Sequence, residues 1–241
     1  MSRTSDVLAP AVSRMSIADR IVADYAPYAL FSAEAPDVFG GSSINGWRDH
    51  SGNGRHLTTL TSTAPTYTAA SSYLGNRPAL IFSGGYLTTT STAFDFGDCA
   101  FLFVFADAST VTTEESPGGT VYSTGYWLGR NASNANTWTS GFIEPGAPYG
   151  QLVTAADGLG HAICSTRSGT THTVYVNGTS AASKVGSGAA LSATAFSVGG
   201  GTGGGILSST HVALVGVWNS ALPVASVKAI QLMGRGYWGL P

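Results

Sequence analysis

The chain has 241 residues, 43% hydrophobic but only 10% charged, with 32 glycines, 56 serines and threonines, and a formal net charge of −2. An ordinary soluble domain carries about 25% charged residues, so small and hydroxylated side chains here take over the solvent-facing role. Only two lysines, Lys184 and Lys228, exclude a coiled coil or long helical bundle; ten Phe, ten Tyr and five Trp exclude a disordered polymer; the near-neutral charge argues against broad phosphate binding and so against nucleic acid.

The N-terminal Met-Ser-Arg-Thr-Ser-Asp is followed by no apolar signal core, so a protein made and kept in a cytoplasm is expected. The longest apolar run, Cys99 to Ala106, is strand-sized, well short of the roughly eighteen residues a membrane helix needs. Ser16 is placed to cap a short helix over 16–25, where Ile17, Ile21, Val22 and Tyr25 share one face until Pro27 stops it. Residues 1–40 therefore read as an N-terminal arm with a short helix, and 41–241 as the folded domain.

From Trp47 onward, short strands alternate with Gly, Ser, Asn and Pro. Strands are predicted at Ala79–Ser83, Cys99–Ala106, Thr120–Leu128, Thr137–Ile143, His161–Thr166, Thr171–Val176, Ala195–Val198 and Val212–Trp218. The run from Cys99 is apolar on both alternating faces and should lie centrally, covered on both sides. Thr171–Val176 alternates, with His172, Val174 and Val176 on one face, and Asn177-Gly178 supplies a tight hairpin. A second helix is predicted from Pro223 through Met233. Spacing of this kind predicts an all-β antiparallel sandwich. Cys99 and Cys164 fall in apolar strands and read as buried free thiols.

Catalytic patterns are sparse. The thirteen carboxylates are scattered, with Asp95/Asp98 and Glu114-Glu115 as the close pairs. Asp95 and Asp98 frame a turn, and Glu114-Glu115 beside Ser116-Pro117-Gly118-Gly119 reads as a solvated hairpin tip. Gly199 to Gly205 lacks the Lys-Ser/Thr of a phosphate loop and reads as an inter-strand loop. The five histidines show no metal spacing; His161, His172 and His211 sit singly in strands. No enzyme is expected. Sugar binding needs an aromatic face for the apolar side of a pyranose, with amide or charged groups for its hydroxyls. Tyr126, Trp127, Arg130, Asn134, Asn136, Trp138 and Tyr149 are the densest such group and the glycan-binding candidates, with filling of the sandwich as the competing role of Trp127 and Trp138.

Four segments occur in a telling order: Trp47-Arg-Asp-His-Ser-Gly-Asn-Gly54, Pro78 to Gly84, Val174-Tyr-Val-Asn-Gly178 and Trp218 to Leu222. In this the chain resembles the concanavalin A-like lectin/glucanase superfamily, in its LamG-like jelly-roll branch. The resemblance implies a jelly roll over most of 45–238. The E-x-D-x-x-E strand of its glucanase members does not occur here. Calcium-binding members use loop Asp and Asn, which makes Asp49 and Asn53 the metal candidates. A hard cation wants six or more oxygens, however, so turn formation is the favoured role and no cofactor is expected. Similar jelly rolls occur in tailed-phage structural proteins. The resulting expectation is a non-enzymatic virion protein of the capsid-decoration, head-fibre or tail-fibre type. Residues 1–40 would anchor it to other virion proteins, and the sandwich would form a homo-oligomer on the virion surface facing host glycans. The rival is a free carbohydrate-binding module or glycosidase of the same fold.

Overall fold

The computed structural model describes residues 15–34, 38–39, 44–89, 94, 96–108, 115–120, 125–130, 137–144, 151–155, 158–189, 191, 195–200 and 208–241. In chain order these form α1 (Ile17–Tyr25), β1 (Ala29–Ser32), β2 (Val38–Phe39), β3 (Gly46–Trp47), β4 (Thr59–Ser62), β5 (Thr66–Ser71), β6 (Arg77–Ser83), β7 (Gly85–Thr88) and β8 (Cys99–Asp107). They continue with β9 (Glu115–Gly119), β10 (Gly125–Arg130), β11 (Thr137–Ile143), β12 (Gln151–Ala155), β13 (Gly160–Ser168), β14 (Thr171–Val176), β15 (Thr179–Val185), β16 (Ser197–Val198), β17 (Ser208–Trp218) and α2 (Val224–Trp238). Every named strand pairing is antiparallel, and two sheets face each other. One runs β15-β14-β13-β8-β17-β6-β5 with β1 also on β17; the other runs β12-β11-β10-β9-β16-β7-β4. The expected all-β sandwich is the observed architecture.

β8 is central because no residue in it is suited to water. All nine of its residues are buried, and alternation divides them between two cores. Cys99, Phe101, Phe103 and Phe105 face the opposite sheet, while Ala100, Leu102, Val104 and Ala106 lie beneath the helices. The aromatics fill the wide gap between sheets, each buried Phe contributing about 2–3 kcal/mol. The smaller outward residues let α1 and α2 approach. Both thiols are free and buried, as expected, and burial pushes Cys99 up to about 12.

α1 begins where Ser16 Oγ accepts the Asp19 amide at 3.0 Å and ends at Ala26, φ 41°, just before Pro27. Its buried Ile17, Ala18 and Ile21 join the outer core, Trp218 Nε1 donates to Tyr25 O at 2.8 Å, and β1 pairs with β17 over Ala29–Val217. Residues 17–32 are thus part of the sandwich, so a division at residue 40 falls inside the folded unit. α2 runs five residues past the predicted Met233. Gly234 is tolerated because the Trp238 ring occupies the space a Cβ would take, 2.9 Å away. Gln231 ties α2 to the sheet, donating to Ala162 O and Tyr175 O and accepting from Gly178 N, at the Asn177-Gly178 hairpin (φ 48° and 88°).

Two expectations change in the second sheet. Of the strand predicted over Thr120–Leu128, the described part from Gly125 is β10, which runs on to Arg130, and the strand that pairs with it, β9, precedes the predicted span. Ser116-Pro117-Gly118-Gly119, of loop composition, is a buried stretch of strand between β10 and β16. At Gly118 an added Cβ would lie 2.6 Å from the Phe103 ring and from Ser197 O, so the glycine admits an aromatic from the facing sheet. Glu114 lies outside the described residues, as do Asp95 and 201–207 of the glycine run. Asp98 lies in the bend before β8, and its Oδ1 accepts Gly169 N at 2.7 Å, which braces the turn between β13 and β14.

Candidate functional site

β10 alternates inward at Tyr126, Leu128 and Arg130, and β11 inward at Trp138, Ser140 and Phe142. The Tyr126 ring stacks on Phe101, centroids 4.3 Å apart and planes 2° from parallel. Its hydroxyl is hydrogen-bonded to Ser140 Oγ at 2.9 Å, which is bonded in turn to Ser165 Oγ of the other sheet at 2.6 Å. Burial drives the Tyr126 phenol far above its ordinary pKa, so it stays a neutral structural hydroxyl. Trp138 meets Phe105 edge-on at 4.8 Å, and the Arg130 guanidinium lies 5.2 Å from the Trp138 ring centre with Nη2 2.9 Å from Asp107 Oδ2. Tyr126, Arg130 and Trp138 therefore hold the sandwich together from within, and their ring faces are covered by protein rather than open to a sugar. Trp127 projects the other way, between Gly119 and Gly141 on the neighbouring strands, and is 8% exposed. Asn134, Asn136 and Tyr149 lie outside the described residues.

A second polar cluster occupies the opposite end of the interior. Glu144, just after β11, is buried with its Oε1 2.9 Å from His172 Nε2 and 3.3 Å from Arg167 Nη2. Its Oε2 accepts from Ser187 N, Ser187 Oγ at 2.6 Å and Gly188 N at 3.1 Å. Gly186 leaves room for this carboxylate, since a Cβ there would be 2.6 Å from Oε2. Burial pushes the Glu144 carboxyl upward, but the Ser187 donors, the contact with His172 and the Arg167 charge outweigh it and hold the group below the usual range. Desolvation lowers His172 more than Glu144 raises it, so the imidazole is neutral and donates Nε2–H while Arg167 alone supplies the countercharge. Arg167 also donates to Phe96 O and Ala189 O. Serine, histidine and carboxylate are all present, yet the serine is bonded to the carboxylate and not to the imidazole. A nucleophile needs contact with its base, so this is a structural knot and not a hydrolytic triad.

Asp49 and Asn53 form a clasp. The Asp49 carboxylate accepts from Leu30 N, Ser51 N and Arg55 N at 2.9 Å and from Ser51 Oγ at 2.8 Å, and His50 N donates to Leu30 O. The turn thus stands in for a neighbouring strand along β1. Asn53 Nδ2 donates to Pro27 O and Tyr28 O, and Arg55 lies over the Tyr28 ring at 3.4 Å. N–H and O–H donors already fill both Asp49 oxygens, so the pair is arranged as turn formers and not as cation ligands. Among the described residues no group of three or more His, Cys, Asp or Glu could hold a metal, and no helix is long and apolar enough to cross a membrane.

On the outer face of the larger sheet, His211 Nδ1 is 3.0 Å from Ser71 Oγ, and the exposed Tyr73 ring lies 5.1 Å from the imidazole. In the sequence His211 stands alone among apolar strand residues. Its partner lies 140 residues away, and no local signal connects them.

No family of related sequences matches the chain, and no curated protein is similar to it in sequence. Solved structures do share its fold. The sialidase of Trypanosoma rangeli matches with a TM-score of 0.55 at 13% identity, over 85% of this chain and 32% of that one. The binding domain of Paraclostridial Mosquitocidal Protein 1 matches with a TM-score of 0.63 at 12% identity, over 88% of this chain and 55% of that one. The receptor-binding domain of botulinum neurotoxin type G gives 0.63 at 12% identity, over 89% and 54%. The chain thus spans about a third of the sialidase and just over half of the toxin chains, and what it has in common with them is the β-sandwich.

Proposed function

We propose that this chain is a non-enzymatic, carbohydrate-contacting β-sandwich of the concanavalin A-like, LamG-like kind, carried on the surface of a tailed-phage particle as a decoration or fibre protein. The observation that carries the non-enzymatic reading is the engagement of the interior carboxylates. Asp107 is tied to Arg130 and Glu144 to Arg167, His172 and Ser187, at opposite ends of β8. About 3.3 Å per strand residue puts these ends on the order of 25 Å apart. A glycosidase needs two carboxyl groups about 5–9 Å apart flanking one sugar. Glycan contact is supported by the fold held in common with domains named for receptor binding and with a sialidase, and by a surface rich in hydroxyls and poor in charge. With α1 and β1 built into the sandwich, docking to the particle falls to residues 1–14, and close subunit packing of so weakly charged a surface favours a homo-oligomer.

The test has two arms. Mass spectrometry of purified virions from the host that carries the gene should find the chain, and light scattering of the purified protein should give an integral multiple of its 24.6 kDa mass. A printed glycan array should register binding, with no reducing sugar released from the polysaccharides bound. Absence from virions with glycan binding retained would leave a free carbohydrate-binding module. Sugar release abolished by one carboxylate variant would overturn the non-enzymatic reading.

A further inference from the structure

With Tyr126 and Trp138 in the core, the aromatic faces open to a ligand must lie elsewhere. Among the described residues, Tyr67 and Tyr73 are the aromatic side chains with large open faces, each 43% exposed. They differ in support. Tyr73 sits in a turn held at its base, where the carbonyl of buried Ser71 accepts from Leu74 N at 3.1 Å and Asn76 N at 2.8 Å. The side chain of Ser71 fixes His211 through Nδ1, and the imidazole lies against the Tyr73 ring with planes inclined at 59°. Gly160 abuts the Tyr73 carbonyl, 3.0 Å from where its Cβ would be, so the exposed Leu159 stands beside the same turn.

This arrangement supplies what a pyranose requires. A positioned ring offers a face to the sugar's C–H groups, and binding loses little side-chain entropy because the ring is already oriented. His211 has one nitrogen engaged by Ser71, and Nε2 has no hydrogen-bond partner among the described residues. Burial lowers the His211 pKa, which keeps the imidazole neutral at neutral pH and able to exchange a hydrogen bond with a sugar hydroxyl.

We propose that Tyr73, backed by Ser71 and His211, is a carbohydrate subsite on the outer face of the larger sheet, the ring stacking on a pyranose and His211 Nε2 meeting one of its hydroxyls. This rests on the carbohydrate-contacting reading above and adds the place where contact occurs. The experiment is a mono- and oligosaccharide array on the full chain, then isothermal titration of the strongest glycan against wild type, Tyr73→Ala, Tyr73→Phe and Tyr67→Ala, with a thermal melt of each. Tyr73→Ala should weaken binding at least tenfold while Tyr73→Phe and Tyr67→Ala stay within threefold. The ring protons of Tyr73 in the wild type should shift on titration, a readout that does not depend on the variants folding. Wild-type affinity in Tyr73→Ala, or unmoved ring protons, would overturn the subsite and leave the module reading intact. An array with no bound glycan would overturn both.

Discussion

Replacing Glu144 by Gln removes one charge from the buried knot and leaves Arg167, itself 1% exposed, without its counter-ion. At 3.3 Å and an effective dielectric of about 20, the attraction lost is about 5 kcal/mol. Breaking one side of a buried pair typically costs about 3–5 kcal/mol. Glutamine cannot compensate: its one NH2 must face either the Ser187 and Gly188 donors or the Arg167 and His172 donors. In a chain of this length each kcal/mol shifts Tm by about 2–4 °C, so the expected fall is about 6–20 °C. Scanning calorimetry of wild type, Glu144→Gln, Arg167→Met and the double variant measures both the loss and the coupling. The double variant should recover part of the single-variant loss, because an unpaired buried charge costs more than a buried apolar pair. A Glu144→Gln melt within 2 °C of wild type, or strictly additive variants, would refute an ion pair working in the interior.

The pH dependence has a definite sign. His172 and His211 are both depressed from 6.5 by burial, so their contribution is fully present above pH 6.5 and is lost as pH falls through the folded values; Glu144, held below 4.5, adds a further loss in acid. Urea midpoints should therefore be flat from pH 7 to 8 and decline below 6.5, with a shallower decline in His172→Asn; a midpoint that rose on acidification would contradict the neutral-imidazole assignment. Cys99, pushed up to about 12, and the buried Cys164 should resist a thiol reagent at pH 8 in native buffer and both react in urea, as mass spectrometry of the adducts would record. Gly75 has φ 58°, and a Cβ there would lie 2.9 Å from the Trp238 carbonyl. Gly75→Ala should cost about 2 kcal/mol or more in chemical unfolding, and a variant as stable as wild type would mean that the turn does not pack against the end of α2.

What could be read from the sequence follows from how local each determinant is. The cap at Ser16, the stop before Pro27, the doubly apolar β8 and the Asn177-Gly178 hairpin each depend on a few adjacent residues, and each is found where expected. β9 was hidden because Pro117, Gly118 and Gly119 are poor strand formers taken alone. They form a strand because Phe103 and Ser197 approach from elements distant in the chain. β1 escaped for a related reason: Ala29–Ser32 is only four residues long, and its edge is completed by the side chain of Asp49. The facing of Tyr126, Arg130 and Trp138 is the part of the candidate site that adjacent residues do not determine. Aromatic density marked Tyr126 and Trp138, but composition does not say which way alternate residues of β10 and β11 point. Their inward direction is set by pairing against Phe101 and Phe105.

The scarcity of charge takes on its meaning from where the charges lie. Three polar levels cross the gap between the sheets: Asp107–Arg130 at one end, Tyr126–Ser140–Ser165 in the middle, and Glu144–Arg167–His172 at the other. Each joins residues of both sheets, and each forms only when the sheets stand in one register, because a one-residue slip on β10 or β11 would turn Tyr126, Arg130 and Ser140 outward. An apolar gap filled by phenylalanine alone would tolerate sliding; hydroxyls and ions left unpaired there would not. A chain with thirteen carboxylates that commits two of them to the interior in this way has used them to define the sandwich. The proposed recognition would then fall to rings and hydroxyls at its surface, of which Tyr73 lies against His211, itself held by Ser71.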